Sequence, residues 1–115
     1  MADRLGKIRQ SGRRPDTSIL RRTFPVAAQE AFGRRAAAAI GFEFDRGRLD
    51  VTAHQFCSGL GPHDCRITTR YDEADFMKSL MAVIHETGHA LYEDGRPAQW
   101  LGQPVGNSRD MTLHE

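Results

Sequence analysis

The sequence predicts a mainly α-helical fold with a small β-hairpin, on three observations. Apolar residues repeat at helical spacing in two long segments, one that begins near Pro25 and one that follows Asp72. Two short stretches, residues 50–56 and 65–69, favour strands and flank a turn rich in glycine and proline. The chain has 115 residues and a mass of 12.9 kDa, which is room for about one domain with a small core.

Two helices are expected in the first 41 residues. Residues 2–10 predict a short helix with Leu5 and Ile8 on one side. A clearer helix begins near Pro25, because proline suits a first helical turn, and it ends at Gly41. Next comes the hairpin of residues 50–56 and 65–69, with His63 solvated in its turn.

The strongest predicted helix follows Asp72, which is expected to cap it, and ends at Gly95. Asp75 stands where a capping box places an acid. The predicted apolar stripe of this helix consists of Phe76, Leu80, Val83, Ile84 and Leu91. Residues 96–107 then form a connection, and Ser108 can cap a final helix.

Charge and composition exclude some classes of protein. The net charge of +1 gives no overall field that would attract nucleic acid or a membrane. Residues 1–25 hold seven basic and two acidic side chains, a local charge of +5, but no aromatic residues interleave with them. A solvated helix face is therefore favoured over a nucleic-acid arm for this segment.

The expected cellular compartment depends on two features that the sequence lacks. No apolar run approaches the length of a membrane span, and the N-terminus lacks the apolar region of a signal peptide. The cytoplasm is therefore expected, and in that reducing compartment Cys57 and Cys65 are expected to be free, structural thiols.

The pattern that indicates chemistry is His85-Glu86-Thr87-Gly88-His89 within the strongest helix. Residues four apart lie on one helix face, so both imidazoles can bind a single tetrahedral metal ion. Glu86 can then take a proton from the attacking water. The alternative is a pair of core histidines satisfied by hydrogen bonds, which would bury polar groups among apolar neighbours at a free-energy cost.

A catalytic zinc site needs a third protein ligand. The metzincin pattern would place a glycine and a histidine where this chain has Tyr92 and Gly95, so that class is excluded. A carboxylate is the alternative. Glu93 and Asp94 share the helix and are expected to point elsewhere, and helical spacing does not choose between the remaining acids. The candidates in chain order are Glu93, Asp94, Asp110 and Glu115.

Several blocks of the sequence together carry a family resemblance. They are His54-Gln55-Phe56, Asp64-Cys65-Arg66-Ile67-Thr68, the His85–His89 motif, Gly102-Gln103 and His114-Glu115. In order and spacing they resemble the signature blocks of the M32 metallocarboxypeptidases, the thermostable carboxypeptidase family. The resemblance covers about residues 23–115, which would be part of a catalytic core, after a basic N-terminal segment at residues 1–22.

The resemblance implies one divalent ion, zinc or cobalt, held by His85, His89 and Glu115, with Glu86 as general base. It implies removal of C-terminal amino acids from peptides, and a largely helical homodimer with a small sheet at the wall of a groove. Substrate contacts or support of the metal site are implied for His54, Phe56, Asp64, Arg66, Thr68 and Gln103.

The sequence departs from the family pattern in two respects. Gln55 replaces a proline, which removes some rigidity. The chain also ends at Glu115, before the part that supplies the arginine for the substrate carboxylate, so a zinc-peptidase core fragment with weak or no activity alone is expected. The alternative is a non-catalytic metal-binding or oligomerising module. Self-association is expected in either case, because aromatic residues would be left exposed.

Overall fold

The computed structural model describes residues 2–12, 14–59, 61 and 63–114, without the side chains of residues 2, 3, 5, 111 and 113. Four α-helices lie within these residues: α1 Ala2–Gln10, α2 Val26–Ala39, α3 Phe76–Asp94 and α4 Met111–His114. The strands are β1 Gly47–Val51, β2 Cys57–Gly59 and β3 Cys65–Thr69. Short 3₁₀ turns occur at Ser18–Leu20, Ala98–Trp100 and Pro104–Gly106. The predicted mainly helical architecture with a small sheet is confirmed.

The sheet has three strands, and β3 lies between β1 and β2. The β3 strand pairs in parallel with β1, from Gly47 opposite Cys65 to Val51 opposite Thr69. It pairs antiparallel with β2, where Cys57 lies opposite Ile67. A hairpin is therefore present, but its first strand falls inside the predicted turn.

The strand predicted over residues 50–56 is wrong for most of its length. Residues 50 and 51 end β1, and the chain then leaves the sheet before β2. The start of β1 depends on Gly47, since a Cβ atom there would lie 2.6 Å from both the Cys65 carbonyl oxygen and the Phe42 ring. Residues 48–51 do alternate between polar and apolar side chains, so β1 carried a local strand signal that began before the predicted start at residue 50.

The core lies between α2, α3 and one face of the sheet. Its buried apolar residues are Ala37, Phe42, Leu49, Ile67, Val83 and Ala90. The odd-numbered residues of β3 face α3, since Cys65 Sγ donates to the Ala90 carbonyl (3.6 Å) and Thr69 Oγ1 donates to the Ser79 carbonyl (3.4 Å). Side chains alternate along a strand, so Arg66 and Thr68 lie on the opposite face of the sheet.

The buried face of α3 differs from the predicted apolar stripe. Ile84 and Leu91 are 37% and 38% exposed. The buried residues of α3 are Ser79, Val83, Glu86, Thr87 and Ala90. Small and polar residues pack here because the facing helix α2 presents Gln29, Gly33 and Ala37. The prediction from hydrophobicity alone therefore placed the buried face of α3 a fraction of a turn away from its observed position.

The start of α3 also differs from its prediction. The N-cap is Asp75, whose side chain accepts from the Lys78 backbone N–H at 3.3 Å. Asp72 instead accepts from the backbone N–H of Ala74, while its own carbonyl receives the Gln29 side chain. Because Gln29 holds Asp72 outside the helix, α3 begins three residues later than a cap at Asp72 would place it.

The other helix predictions are confirmed, with one shift. Helix α1 covers residues 2–10, α2 follows Pro25, and α4 begins at Met111, beyond the proposed cap Ser108. The protein is flat, with extents of 53 × 40 × 24 Å. Its radius of gyration of 17.7 Å exceeds the roughly 13 Å expected for a compact domain of this length. Across the part of the chain that is described, no helix is long and apolar enough to cross a membrane.

Candidate metal centre

A cavity of about 690 Å³ opens between α3, strand β2 and the turns that follow α3. Its walls include three sets of side chains that can bind metal ions or transfer protons: the histidines of α3, acidic residues of the same helix, and the two cysteines. These residues are His85, Glu86, His89, Glu93, Asp94, Cys57 and Cys65. His114 of α4 and Arg96 complete one side. The cavity is thus lined by metal-ligating and proton-transferring side chains.

His85 and His89 converge on this cavity from successive turns of α3. Their Nε2 atoms are 3.0 Å apart, and the rings meet edge to face with centroids 4.5 Å apart. Two nitrogens that bind one tetrahedral zinc ion at about 2.0–2.1 Å would lie roughly 3.3 Å apart. His85 is exposed and His89 half-buried, so the pair is not the core pair considered as an alternative. The donor atoms therefore fit a shared divalent cation.

Glu115, the predicted third ligand, lies outside the described residues. Among residues 2–12, 14–59, 61 and 63–114, no three His, Cys, Asp or Glu side chains form a group that could hold a metal ion. Asp110 is exposed and does not line the cavity.

Glu86 lies beside the histidine pair on α3 but is less exposed to solvent than either histidine. Only 7% of its surface is exposed, and it still lines the cavity.

Cys57 lines the same cavity, and both cysteines are free thiols, as expected. Burial, followed by the negative charges of Cys65, Glu86 and Glu93, raises the pKa of the Cys57 thiol to about 12. Cys57 therefore stays protonated and neutral at the cavity wall.

The prediction that Glu93 and Asp94 point elsewhere is wrong, because both residues line the cavity. Glu93 lies one helical turn beyond His89, and its carboxylate contacts Arg96 Nη2 at 2.9 Å. It also lies 3.8 Å from His114 Nδ1. The error has a simple cause, since residues 85, 89 and 93 are spaced by four and share one helix face.

A second acidic contact involves His63, which was expected to be solvated. His63 Nδ1 lies 2.8 Å from Asp94 Oδ1, and Arg46 donates to the same oxygen. The hydrogen bond from His63, together with Arg46, lowers the pKa of Asp94. His63 adopts a φ of 62°, a left-handed conformation that tolerates few side chains, and this turn carries the ring to the end of α3.

His114 packs against the histidine pair from α4. Its ring stacks on His89 with centroids 4.6 Å apart and an angle of 7°, and Tyr92 meets it edge-on at 4.7 Å. These ring contacts pack His114 against α3. The stacking itself could not be predicted locally, because it depends on how α4 returns to α3.

The remaining motif residues form two hydrogen-bonded groups at the sheet. Arg66 binds Asp64 through Nε and Nη2, at 3.1 and 3.2 Å. Thr68 Oγ1 accepts from the Phe56 N–H at 2.9 Å and donates toward the His54 carbonyl at 3.2 Å. Of these five residues, Phe56 alone lines the cavity.

Gln103 is exposed, and its neighbours Leu101 and Gly102 line the cavity in its place. The residue Gln55, which departs from the family pattern, also lines the cavity and is half-buried.

Two imidazoles and a sheltered carboxylate on one helix, beside an open cavity, are the arrangement typical of metallopeptidases. The sequence matches the family described as Carboxypeptidase Taq (M32) metallopeptidase over residues 1–115. The chain belongs to the M32 family of metallocarboxypeptidases.

Curated relatives agree with this membership. The chain is 48% identical over 111 residues to thermostable carboxypeptidase 1 of Thermus thermophilus, covering 96% of this chain and 22% of that protein. It is 38% identical over 109 residues to carboxypeptidase 1 of Bacillus subtilis, covering 95% of this chain and 22% of that protein. The chain therefore spans about a fifth of the length of these relatives.

Solved structures share the fold as well. The M32 carboxypeptidase from Deinococcus radiodurans superposes with a TM-score of 0.84 at 44% identity, over 91% of this chain and 21% of that one. The structure entitled BsuCP gives a TM-score of 0.86 at 38% identity, over 95% of this chain and 22% of that one. The helices and the small sheet described above are thus the arrangement of this family.

Proposed function

We propose that this chain is the metal-binding core of a zinc-dependent carboxypeptidase that removes single amino acids from the C-termini of peptides. His85 and His89 would hold the ion, with Glu115 as third protein ligand, and cobalt could replace zinc. The observation that supports this most directly is the 3.0 Å approach of the two Nε2 atoms at the cavity wall. Membership of the M32 family supports the peptide substrate and the divalent ion.

Glu86 is the proposed general base. A bound divalent ion would supply Lewis acidity, which polarises the scissile carbonyl and makes a water proton removable near neutral pH. The Glu86 carboxylate accepts that proton from the attacking water, and the water oxygen forms a bond to the carbonyl carbon. The same carboxyl group then donates the proton to the departing amine as the C–N bond breaks. Its sheltered position keeps bulk water from competing for the proton.

The chain alone is expected to turn over peptides weakly or not at all. A carboxypeptidase recognises a free carboxylate, which arginine binds best through two parallel hydrogen bonds. Arg96 lines the cavity but is engaged by Glu93 and Asn107, and Arg66 is engaged by Asp64 on the other face of the sheet. Binding a substrate carboxylate at either residue would break an existing pair. The cytoplasmic location and the self-association stay predictions from the sequence.

The experiment is a calorimetric titration of zinc into the metal-free chain, with release of a C-terminal amino acid from a short peptide measured on the same samples. His89→Ala is expected to abolish stoichiometric binding, and His63→Ala, which removes another histidine of the cavity, is expected to leave it intact. Glu86→Gln should retain zinc and lower any turnover by about a hundredfold or more.

Equal zinc binding by wild type and His89→Ala would contradict the proposed ligand set. Tight zinc binding with no hydrolysis, in the chain alone and after addition of the remaining region of a relative, would favour the non-catalytic module instead.

A further inference from the structure

The ring of His114 covers one face of the His89 imidazole. The rings are nearly parallel, with centroids 4.6 Å apart, and the His114 side chain is only 14% exposed. Ring stacking fixes the plane of a histidine but leaves its two nitrogens free to point along that plane. His114 is therefore placed to restrict the rotation of His89 without competing for its Nε2 atom.

His114 lies next to an ion pair formed by Glu93 and Arg96. Its buried Nδ1 has no hydrogen-bond partner among the described residues, and Glu93 Oε1 lies 3.8 Å away. A buried nitrogen left in this state is uncommon and calls for an explanation. Glu93 lies one turn beyond His89 on α3, so one carboxylate adjoins both the helix of the metal site and the ring that covers it.

Arg96 links this ion pair to the segment that precedes α4. Its Nη2 binds Glu93 Oε2 at 2.9 Å, and its Nη1 donates to Asn107 Oδ1 at 2.8 Å and toward the Gly106 carbonyl at 3.4 Å. One planar guanidinium thus joins the end of α3 to the turn that leads to α4. Lysine, with a single ammonium group, cannot reproduce both contacts in this geometry.

We propose that Glu93, Arg96 and His114 act as positioning residues, which hold α4 against α3 so that His114 orients the His89 imidazole toward the cation. The inference rests on the proposed function, because it assigns His89 as a metal ligand. None of the three residues is proposed to bind the metal itself.

The first test measures the affinity of the metal-free chain for zinc alone. His114→Ala and Arg96→Ala are expected to weaken binding roughly tenfold to a hundredfold, the usual effect of removing a partner that orients a ligand. His114→Phe keeps a flat ring and removes both nitrogens, so it should bind zinc almost as wild type does. Arg96→Lys keeps the charge and should not restore the affinity.

The matched control is Arg48→Ala, which breaks an exposed pair in which Arg48 binds Asp50 through two contacts of 2.7 Å. It should leave zinc affinity unchanged. If His114→Phe loses as much affinity as His114→Ala, a nitrogen of His114 is needed and the positioning role is overturned. Wild-type affinity in both His114→Ala and Arg96→Ala would also overturn it.

The second test does not depend on the metal. In the metal-free chain, the NMR signals of the His89 ring protons are expected to move in Arg96→Ala, which retains the His114 ring, and to stay in place in Arg48→Ala. If wild type binds no zinc while these signals move, the proposed function fails and the network stands. If zinc binds but the His89 signals are unchanged in Arg96→Ala, the network fails and the proposed function stands. Circular dichroism of each variant identifies any that do not fold.

Discussion

The side chain of Gln29 joins three separate parts of the chain, and we predict that Gln29→Leu is among the most destabilising single changes outside the metal site. Gln29 is 5% exposed. Its Nε2 donates to the carbonyls of Phe24 and Asp72, each at 2.8 Å, and its Oε1 accepts from Ser79 Oγ at 2.7 Å. Leucine nearly matches the volume of glutamine but makes none of these bonds.

The expected loss follows from the number of bonds. Each intramolecular hydrogen bond contributes about 0.5–1.5 kcal/mol net, so three give a loss of about 3 kcal/mol in the free energy of unfolding. Ser79 Oγ retains a second contact with the Phe76 carbonyl at 2.9 Å, so its hydroxyl is not left unsatisfied. The two carbonyls that lose the amide account for most of the cost.

Urea unfolding followed by helical circular dichroism measures this effect. With a slope of about 1.5 kcal/mol per M, the midpoint should fall by about 2 M while the slope stays constant. Gln10→Leu, at an exposed site in α1, is the matched control and should change stability by less than about 0.5 kcal/mol. The reasoning is refuted if Gln29→Leu shifts the midpoint no more than Gln10→Leu does.

Four further outcomes are expected. Gly33→Ala should raise the thermal midpoint, because alanine favours a helix interior by about 1 kcal/mol over glycine and its Cβ would make an ordinary 3.5 Å contact with Val83 Cγ2; a lower midpoint would contradict this. The Cys57 thiol, with its pKa raised from 9.0 to about 12, should react with a thiol reagent at pH 8 about a thousandfold more slowly in the folded chain than in urea, measured in the variant that lacks the other cysteine. Because the folded pKa is the higher one, the stabilisation from this thiol is complete below pH 9.0 and is lost as pH rises toward about 12, so a stability that rose over that range would oppose the assignment. Gly106→Ala should separate the two turns after α3, since its Cβ would collide with the Trp100 carbonyl, and should shift the emission of this single tryptophan; unchanged emission would contradict the collision.

The helices of this fold could be predicted from the sequence because their signals are local. Pro25, Gly41 and Gly95 mark helix ends through backbone preferences that act within one turn. The His85–His89 spacing fixed a shared helix face for the same reason, and the structure brings those two rings together. Local chemistry was sufficient wherever the partner lay on the same turn or the next one.

The errors concern contacts between distant residues. The parallel pairing of β1 with β3 depends on the close approach at Gly47, and the start of α3 depends on Gln29, 43 positions before the Asp72 carbonyl that it binds. Glu93 was expected to point away from the cavity, although its spacing of four from His89 places it on the same helix face. The contacts of His63 with Asp94 and Arg46 carried no sequence signal, because they form only when the β2–β3 turn meets the end of α3.

The division of α3 into two faces bears on how such a site can change over evolutionary time. The face that supports folding carries Val83 and Ala90, fully or almost fully buried, whereas His85 is exposed and His89 half-buried. Replacing the two histidines removes little packing, so it subtracts little from the stability that keeps a variant folded. A descendant could lose hydrolysis, or acquire other ligands at these positions, and still fold. Survival of the fold in a relative is thus no guide to survival of its chemistry.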